Sequence, residues 1–212
     1  TVSNRDNNLT LVYIDDLLEE FSRALTGKPS RNGEFCEVPV THQITVGELA
    51  ARIQSFRNSR NDLSVPEISD PLSRKLYSTY LSNLPVDSFS YPLAMHQDAR
   101  GSFTEFLRTP ERGQVSVNIS KPGITKGNHW HHTKAEKFLV VSGNGVIRFR
   151  HVGEKGIISY EVSGEKLTVV DIPPGYTHNI TNLGDSDMVT VMWASEPFDP
   201  ARPDTIFEVV EK

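Results

Sequence analysis

The stretch His129-Trp-His-His-Thr-Lys-Ala-Glu136 decides the fold of this 212-residue chain. Successive residues of a β-strand point to opposite faces, so His129 and His131 lie on the same face of a strand. A short turn can then bring Glu136 round on the next strand. Two imidazoles and a carboxylate gathered in this way suit a divalent transition metal. The stretch therefore predicts a metal site on a β framework.

Composition excludes several classes of function. The net charge is −5 with both signs interspersed, which argues against a nucleic-acid-binding surface. Cys36 is the only cysteine, which excludes a disulfide framework and a cysteine zinc site. No apolar run approaches the length of a membrane span, and no signal peptide opens the chain. We therefore expect a cytoplasmic protein with no membrane contact.

The chain changes character near residue 86, and the part before it, residues 1–85, is predicted to be mostly helical. Three signals for the start of a helix lie in this part, each followed by apolar residues at helical spacing: Asp15 with Gly27 as the stop, the capping box of Thr45 and Glu48, and Asp70-Pro71. This part of the chain contains too few predicted strands to form a self-contained α/β domain.

From about Phe89 the pattern becomes β. Short β-branched or aromatic runs, punctuated by Gly, Asn, Pro and Asp, occupy residues 114–120, 138–141, 146–151, 157–162, 167–172 and 188–193. Many short strands joined by tight turns predict a sandwich or barrel over residues 86–212.

A second histidine follows a turn in Pro173-x-Gly175-x-x-His178-x-x-x-Asn182. Together with Gly123, His129-x-His131, Glu136 and Gly143, this spacing resembles the two motifs of the cupin family over residues 89 to 195. The resemblance implies a jelly-roll barrel that holds a metal inside it through His129, His131, Glu136 and His178. Leu167 departs from the pattern, because the second motif usually opens with glycine. Spacing alone leaves zinc, iron, manganese and nickel open.

The segment from Asp98 to Glu105, Asp-Ala-Arg-Gly-Ser-Phe-Thr-Glu, resembles one in the epimerases that act on nucleotide-linked 4-keto-6-deoxy sugars. That resemblance implies substrate contacts for Arg100 and Glu105, and a similar segment implies one for Asn118. Lys126 stands where those epimerases carry an arginine, and a cation there suits the diphosphate of the substrate.

The chain departs from those epimerases where their catalytic lysine stands, because Glu136 occupies that position. Lys137 is no replacement, since strand alternation turns it to the opposite face. Their basic histidine corresponds to His129, and a metal-bound imidazole is a poor base. We therefore predict other residues, Lys126 and His132, for electrostatic or proton-transfer roles, although alternation turns His132 away from the metal ligands.

A further resemblance extends along nearly the whole chain. Residues 113–134, 171–173 and 175–180, with 76–82 and 89–93 across the junction, resemble the CapF family of capsular polysaccharide biosynthesis. This implies a C-terminal zinc cupin, a homodimer through that cupin, and epimerisation at carbon 3 of a UDP-linked 4-keto-6-deoxy amino sugar. An N-terminal reductase of the short-chain dehydrogenase type then reduces the ketone with NADPH, toward UDP-N-acetyl-L-fucosamine.

Residues 1–85 contain only part of such a reductase. Leu11 to Asp16 resembles a hydrophobic-Asp-Asp segment late in extended short-chain dehydrogenases, but no Gly-rich dinucleotide fingerprint follows a strand and no Tyr-x-x-x-Lys pair is present. We interpret this part as the distal, substrate-side remnant of a reductase domain. Reductase activity is not expected from this chain alone.

Two alternatives to a nucleotide-sugar epimerase remain open. The histidine and carboxylate set also suits a different metal cupin enzyme, such as an iron dioxygenase. The barrel could instead be a non-catalytic module for dimerisation or sugar binding.

Overall fold

The computed structural model describes residues 3–109 and 111–211, which divide into two compact units. The first unit contains the chain up to Asn61 together with Pro66–Ser90. The second contains Asp62–Val65 and the chain from Tyr91 onward. The structural boundary therefore lies a few residues beyond the change of pattern at residue 86, and one short segment before it belongs to the second unit.

The first unit is built around three α-helices in its described residues. Its elements in chain order are β1 Asn8–Leu11, α1 Ile14–Leu25, β2 Arg31–Asn32, β3 Phe35–Cys36, β4 His42–Thr45, α2 Val46–Asp62 and α3 Pro71–Ser82, followed by a 3-10 turn at Val86–Ser88. Strand β1 pairs with β4, and β2 pairs with β3. Phe56 of α2 is buried, and its ring contacts Tyr77 and Tyr80 of α3 with centroids 5.1 and 5.9 Å away. None of the described helices is long and apolar enough to cross a membrane.

Two of the three predicted helix starts are confirmed. The Glu48 carboxylate accepts from the backbone N–H of Thr45 at 2.9 Å, and Thr45 Oγ1 accepts from the N–H of Glu48 at 3.2 Å. Asp70 accepts from the N–H of Ser73 at 2.9 Å, ahead of the proline that begins α3.

The third predicted helix start, at Asp15, is wrong. Tyr13 is the capping residue of α1, and Asp15 lies inside the first turn. A carboxylate in the first turn interacts favourably with the helix dipole without capping a backbone N–H, so the same sequence signal fits both positions. The helix ends as expected, with Gly27 at a φ of 75° just beyond it.

The second unit is mainly β, as the sequence predicts. Its strands are β5 Met95–Asp98, β6 Gly101–Thr109, β7 Gly113–Ser120, β8 Thr125–Trp130, β9 Glu136–Ser142, β10 Asn144–His151, β11 Ile158–Ser163, β12 Val169–Ile172, β13 Tyr176–Asn182, β14 Met188–Ala194 and β15 Ile206–Phe207. One antiparallel sheet has the order β11-β10-β13-β8-β15, and the other has the order β12-β9-β14-β7-β6-β5.

The two sheets pack against each other through one apolar core. Buried side chains from both contribute to it: Phe138, Val140, Ile147, Phe149, Val162, Val170, Ile172, Ile180 and Met188. Burying a side chain of this size stabilises the fold by roughly 1.5–3 kcal/mol. The core fixes the spacing of the sheets and so the width of the space beside it.

The departure of Leu167 from the cupin pattern has a structural explanation. Leu167 is exposed and precedes β12. A Cβ on Gly164 would lie 2.6 Å from Cα of Ser142 and 2.7 Å from the carbonyl oxygen of Val141. A close approach of backbones that requires glycine therefore occurs three residues before Leu167.

Asp70, which caps α3, and Asp15, which lies inside the first turn of α1, generate a paired prediction. We expect Asp70→Ala to lower the free energy of unfolding by about 1 kcal/mol and Asp15→Ala by less than about 0.5 kcal/mol. Urea denaturation followed by circular dichroism measures both, and equal losses would contradict the assignment of the caps.

The contribution of Asp70 should also depend on pH. Hydrogen bonds from the hydroxyl and backbone N–H of Ser73 lower the pKa of Asp70 to about 2. A depressed carboxyl pKa stabilises the fold above the unfolded pKa, about 3.9, and this contribution is lost as the pH falls through the folded value. The difference between the wild type and Asp70→Ala should therefore narrow as the pH falls below about 4.

Candidate metal centre

Three histidines and one glutamate meet between the two sheets. His129 of β8 stands directly opposite His178 of β13, with ring centroids 4.6 Å apart. The His131 ring lies 5.0 Å from that of His129. Glu136, the first residue of β9, reaches the group from the other sheet. One ligand atom from each of the four residues lies within 4.8 Å of all the others.

The backbone around His129 is shaped for this close approach. Gly127 has a φ of 108° and Asn128 a φ of 59°, and the pairing of β13 with β8 shifts register between His178 and Asn179. A Cβ on Gly127 would lie 2.7 Å from the carbonyl oxygen of His178 and 2.9 Å from Cα of Asn179. Only glycine fits at this point, because the obstacle is backbone rather than a flexible side chain.

Backbone carbonyls orient two of the imidazoles. Nδ1 of His131 faces the carbonyl oxygen of Asp204, and Nδ1 of His178 faces that of Tyr176 at 3.2 Å. A carbonyl oxygen only accepts, so Nδ1 carries the proton in each ring. The lone pair of Nε2 is then directed into the cluster, which is the form of histidine that binds a metal.

The electrostatics of the cluster favour a neutral His129 beside an ionised Glu136. Burial opposes the protonation of His131, but the carboxylate of Glu136 and the carbonyl oxygen of Asp204 raise the pKa of that ring. Burial, with a contribution from the charge of His178, lowers the pKa of His129 to about 4. Burial alone would raise the pKa of Glu136, but the adjoining imidazoles of His131 and His178 hold it well below its usual range. At neutral pH, His129 is therefore a neutral donor and Glu136 an anion.

The donor atoms fit a divalent cation. Oε2 of Glu136 lies 3.0 Å from Nε2 of His178 and 3.4 Å from Nε2 of His131. Although these three buried atoms approach each other, none has a well-oriented hydrogen bond from the described residues. A tetrahedral ion with bonds of about 2.0–2.1 Å places its ligand atoms about 3.3 Å apart, which matches these separations.

A cavity of about 810 Å³ leads from the cluster to the surface of the second unit. Four residues that the sequence predicts for substrate or catalytic roles line it: Arg100, Glu105, Asn118 and Lys126. Strands β5 and β6, on the six-stranded sheet, form much of its wall. His96 of β5 also lines this cavity.

Lys126 is held firmly in the cavity wall. Its ammonium donates to Oδ1 of Asn118 at 2.8 Å and to the carbonyl oxygens of Ile119 at 2.8 Å and Ser102 at 3.3 Å. Burial lowers the pKa of Lys126 from its ordinary value. Three acceptors around one ammonium stabilise its charged form, so the geometry suits contact with an anion rather than removal of a proton.

Arg100 lies at the exposed rim of the cavity. Its guanidinium donates to Oδ2 of Asp98 at 2.6 and 3.0 Å. Glu105 is half-buried in the wall, 3.8 Å from the guanidinium of Arg108. Asn118 is buried and engaged by Lys126, so in this arrangement it positions that cation.

The structure does not bring His132 to the cavity. Its side chain is 64% exposed, its ring lies against Trp130 with centroids 4.6 Å apart, and Nδ1 is 3.2 Å from the carboxylate of Asp204. Strand alternation predicts that the His132 side chain points away from the metal ligands. Lys137 also faces outward, as predicted, and pairs with Asp171.

Sequence reasoning missed two residues of this region. Lys134 is buried and lines the cavity, and no described residue accepts a hydrogen bond from its ammonium or pairs with it. The only sequence signal for Lys134 was its position two residues before Glu136. Residues in a turn do not alternate between two faces, so the direction of the Lys134 side chain could not be predicted. Asp204 contacts residues of the turn after β8 that lie 70 to 72 positions earlier in the sequence. A contact over such a separation cannot be predicted from a local sequence pattern.

The two antiparallel sheets with a histidine and carboxylate cluster between them define a cupin-like β protein. The chain belongs to the family of the polysaccharide biosynthesis C-terminal domain, whose family model matches residues 96–206. Its expected likeness to CapF is confirmed by the crystal structure of capsular polysaccharide assembling protein CapF from Staphylococcus aureus. That chain is 60% identical with a TM-score of 0.93, and the match covers 99% of this chain and 61% of CapF. A CapF structure with the inhibitor 3-isopropenyl-tropolone matches with a TM-score of 0.94.

Two curated proteins are similar in sequence. UDP-2-acetamido-2,6-beta-L-arabino-hexul-4-ose reductase of Pseudomonas aeruginosa is 46% identical over 204 residues, which are 96% of this chain and 55% of the reductase. Spore coat polysaccharide biosynthesis protein SpsL of Bacillus subtilis is 27% identical over 122 residues, which are 53% of this chain and 81% of SpsL. The chain thus spans little more than half of that reductase.

The tight approach at Gly127 generates a matched pair of variants. Gly127 and Gly153 both lie at positive φ, but a Cβ on Gly153 would meet nothing within 4 Å. Backbone strain of about 1–2 kcal/mol is expected for alanine at either position. Gly127→Ala should destabilise the protein further because it also displaces β13. Thermal unfolding measures both variants, and equal losses would show that the clash is absent.

Proposed function

We propose that the barrel holds a divalent metal, zinc in the first instance, and epimerises a UDP-linked 4-keto-6-deoxy amino sugar at carbon 3. The observation that carries this proposal is the convergence of His129, His131, Glu136 and His178 in a cavity that also holds Lys126. The product is proposed as a precursor of capsular polysaccharide, toward UDP-N-acetyl-L-fucosamine.

Support for the metal comes from the donor set and from an inhibitor. Buried Nε2 and carboxylate atoms without a well-oriented hydrogen bond are otherwise unfavourable, and a cation satisfies them together. CapF was crystallised with a tropolone inhibitor. A tropolone carries a ketone and a hydroxyl on neighbouring carbons, an arrangement that chelates divalent metals. An inhibitor of that kind suits a cavity with a metal at its inner end.

Support for the substrate comes from the charges along the cavity and from a relative. The P. aeruginosa reductase is named for a UDP-linked hexul-4-ose, a sugar with a ketone at carbon 4. A nucleoside diphosphate requires cations, and Arg100 at the rim and Lys126 in the wall both line the cavity. The predicted contacts of Glu105 and Asn118 fit the same surface.

The chemistry follows from the position of the ketone. A proton on carbon 3 is acidic because the carbonyl at carbon 4 accepts the charge left by its removal, and return of a proton to the opposite face inverts the centre. A bound metal supplies Lewis-acid stabilisation of negative charge on oxygen. Lys126 and Lys134 supply positive charges that line the cavity and stabilise an anion bound there. His129 is not the base, since its free nitrogen is a proposed metal ligand.

We further propose that the helical unit is the substrate-side part of a reductase domain and that NADPH binds only in the longer architecture of the family. The 46% identity to the reductase, which covers almost all of this chain, supports this reading. A homodimer through the barrel is proposed on the resemblance to the CapF family.

The metal proposal predicts the composition of the purified protein. Elemental analysis should find zinc in an amount stoichiometric with the chain, and His131→Ala or Glu136→Ala should lose most of it. His42→Ala, which changes a histidine of the other unit, is the control and should retain the metal. Iron in place of zinc, together with oxygen consumption, would favour a dioxygenase.

The epimerase proposal predicts isotope exchange. Zinc-loaded protein incubated with the UDP-linked 4-keto sugar in deuterated water should introduce deuterium at carbon 3 faster than a protein-free sample, as followed by NMR. Lys126→Ala should slow the exchange about 100-fold, which is typical of removing one charge-stabilising donor. Lys121→Ala is the control, because Lys121 pairs with Asp187 at the exposed surface. Absence of enzyme-dependent exchange in the wild type would contradict the proposal, whereas retained ligand binding would then favour a sugar-binding module.

A further inference from the structure

We infer that Asp204, from the segment after β14, is a positioning residue that holds His131 in the orientation required for metal binding. This inference rests on the proposed metal site, and it assigns a role to a residue outside the strands that carry the ligands. Asp204 fixes both the turn that follows His131 and the His131 ring itself.

The carboxylate of Asp204 clamps the turn between β8 and β9. It accepts from the backbone N–H groups of His132 at 2.9 Å, Thr133 at 2.9 Å and Lys134 at 3.2 Å. It also accepts from Oγ1 of Thr133 at 3.2 Å. Successive N–H groups that converge on one anion form an anion-binding nest, and charge-assisted bonds of this kind are stronger than neutral ones. The turn thereby keeps one conformation.

The main chain of Asp204 acts on the metal ligand directly. Its carbonyl oxygen accepts from Nδ1 of His131, which leaves Nε2 to face Glu136. Partners of this kind fix the tautomer and the rotation of a metal-binding imidazole. One residue thus holds the ring through its carbonyl and the following turn through its carboxylate.

Asp204 is held in place by β15, which follows it and pairs with β8. In β15, Ile206 pairs with Trp130 and Phe207 pairs with His129 of β8. Beyond β15, buried Arg150 donates to the carbonyl oxygens of Val209 at 2.9 Å and Val210 at 3.0 Å. Strand β8, which carries His129 and ends one residue before His131, is therefore paired on its outer side by the segment that carries Asp204.

Asp204→Asn is the informative substitution. Asparagine keeps one acceptor oxygen but turns an NH₂ group toward the backbone N–H donors of the turn, so the clamp is lost with little change in volume. Asp204→Glu retains the charge on a longer side chain and should restore part of the effect. Asp199→Asn is the control, because Asp199 lies in the same segment and its carboxylate has only local partners, the N–H of Ala201 at 2.9 Å and the guanidinium of Arg202 at 3.8 Å.

The readout is Co²⁺ binding to the metal-free full chain, followed by the visible absorption of the bound ion. We expect Asp204→Asn to weaken Co²⁺ affinity by about 10- to 100-fold and to shift the absorption bands, which report ligand geometry. Asp199→Asn should match the wild type. If Asp204→Asn lowers the melting temperature of the metal-free protein but leaves affinity and spectrum unchanged, Asp204 is merely structural and the inference is overturned.

A milder variant covers the case in which Asp204→Asn does not fold. Thr133→Val removes only the hydroxyl donor to Asp204 and should weaken Co²⁺ binding several-fold while the fold is kept. Unchanged Co²⁺ binding would contradict the proposed role of the Asp204 carboxylate.

A different result would reject the proposed metal site itself. If the wild type binds neither Co²⁺ nor Zn²⁺, the metal site itself is rejected, whereas normal wild-type binding with an unaffected Asp204→Asn variant rejects only the role of Asp204.

Discussion

The pairing of His129 with His178 across β8 and β13 is the contact on which the rest of the site depends. It brings two imidazoles within 4.6 Å on one sheet, and it is possible only because Gly127 lets the backbones approach. Glu136, the first residue of β9 in the facing sheet, then completes the group. The apolar core beside the cluster holds the two sheets at the spacing that this contact requires.

Much of this arrangement is encoded locally and could be predicted from the sequence. Alternation along a strand places His129 and His131 together and turns His132 and Lys137 outward, because each of these relations spans only a few residues. Alternation does not apply to the turn that carries Lys134, and its place in the cavity could not be read. Asp204 could not be predicted from local patterns either, since its partners are about 70 residues away and tertiary contacts such as the pairing of β15 with β8 bring it to them. The prediction that Asp15 caps α1 was wrong for another reason, because a carboxylate is favourable both at the cap and in the first turn of a helix.

Charged groups of both signs line the cavity from its inner end to its rim. The metal-ligand residues and the buried Lys134 occupy the inner end, and the cations of Arg100 and Lys126 share the rim and wall with the carboxylates of Asp98 and Glu105. In the proposed complex, the anionic diphosphate of a nucleotide-linked sugar lies beside Arg100 and Lys126, and its neutral ring lies beside the metal-ligand residues.

The late position of Asp204 in the chain also sets the timing of assembly. A ribosome releases the protein from the N-terminus onward, at about 5–20 residues per second. His129, His131 and Glu136 therefore emerge several seconds before the segment that pairs with β8 and clamps the turn. A nascent barrel that has completed its two sheets up to β14 still lacks the carbonyl that fixes the His131 ring. Capture of the proposed metal with full affinity is consequently expected only after β15 has docked on β8.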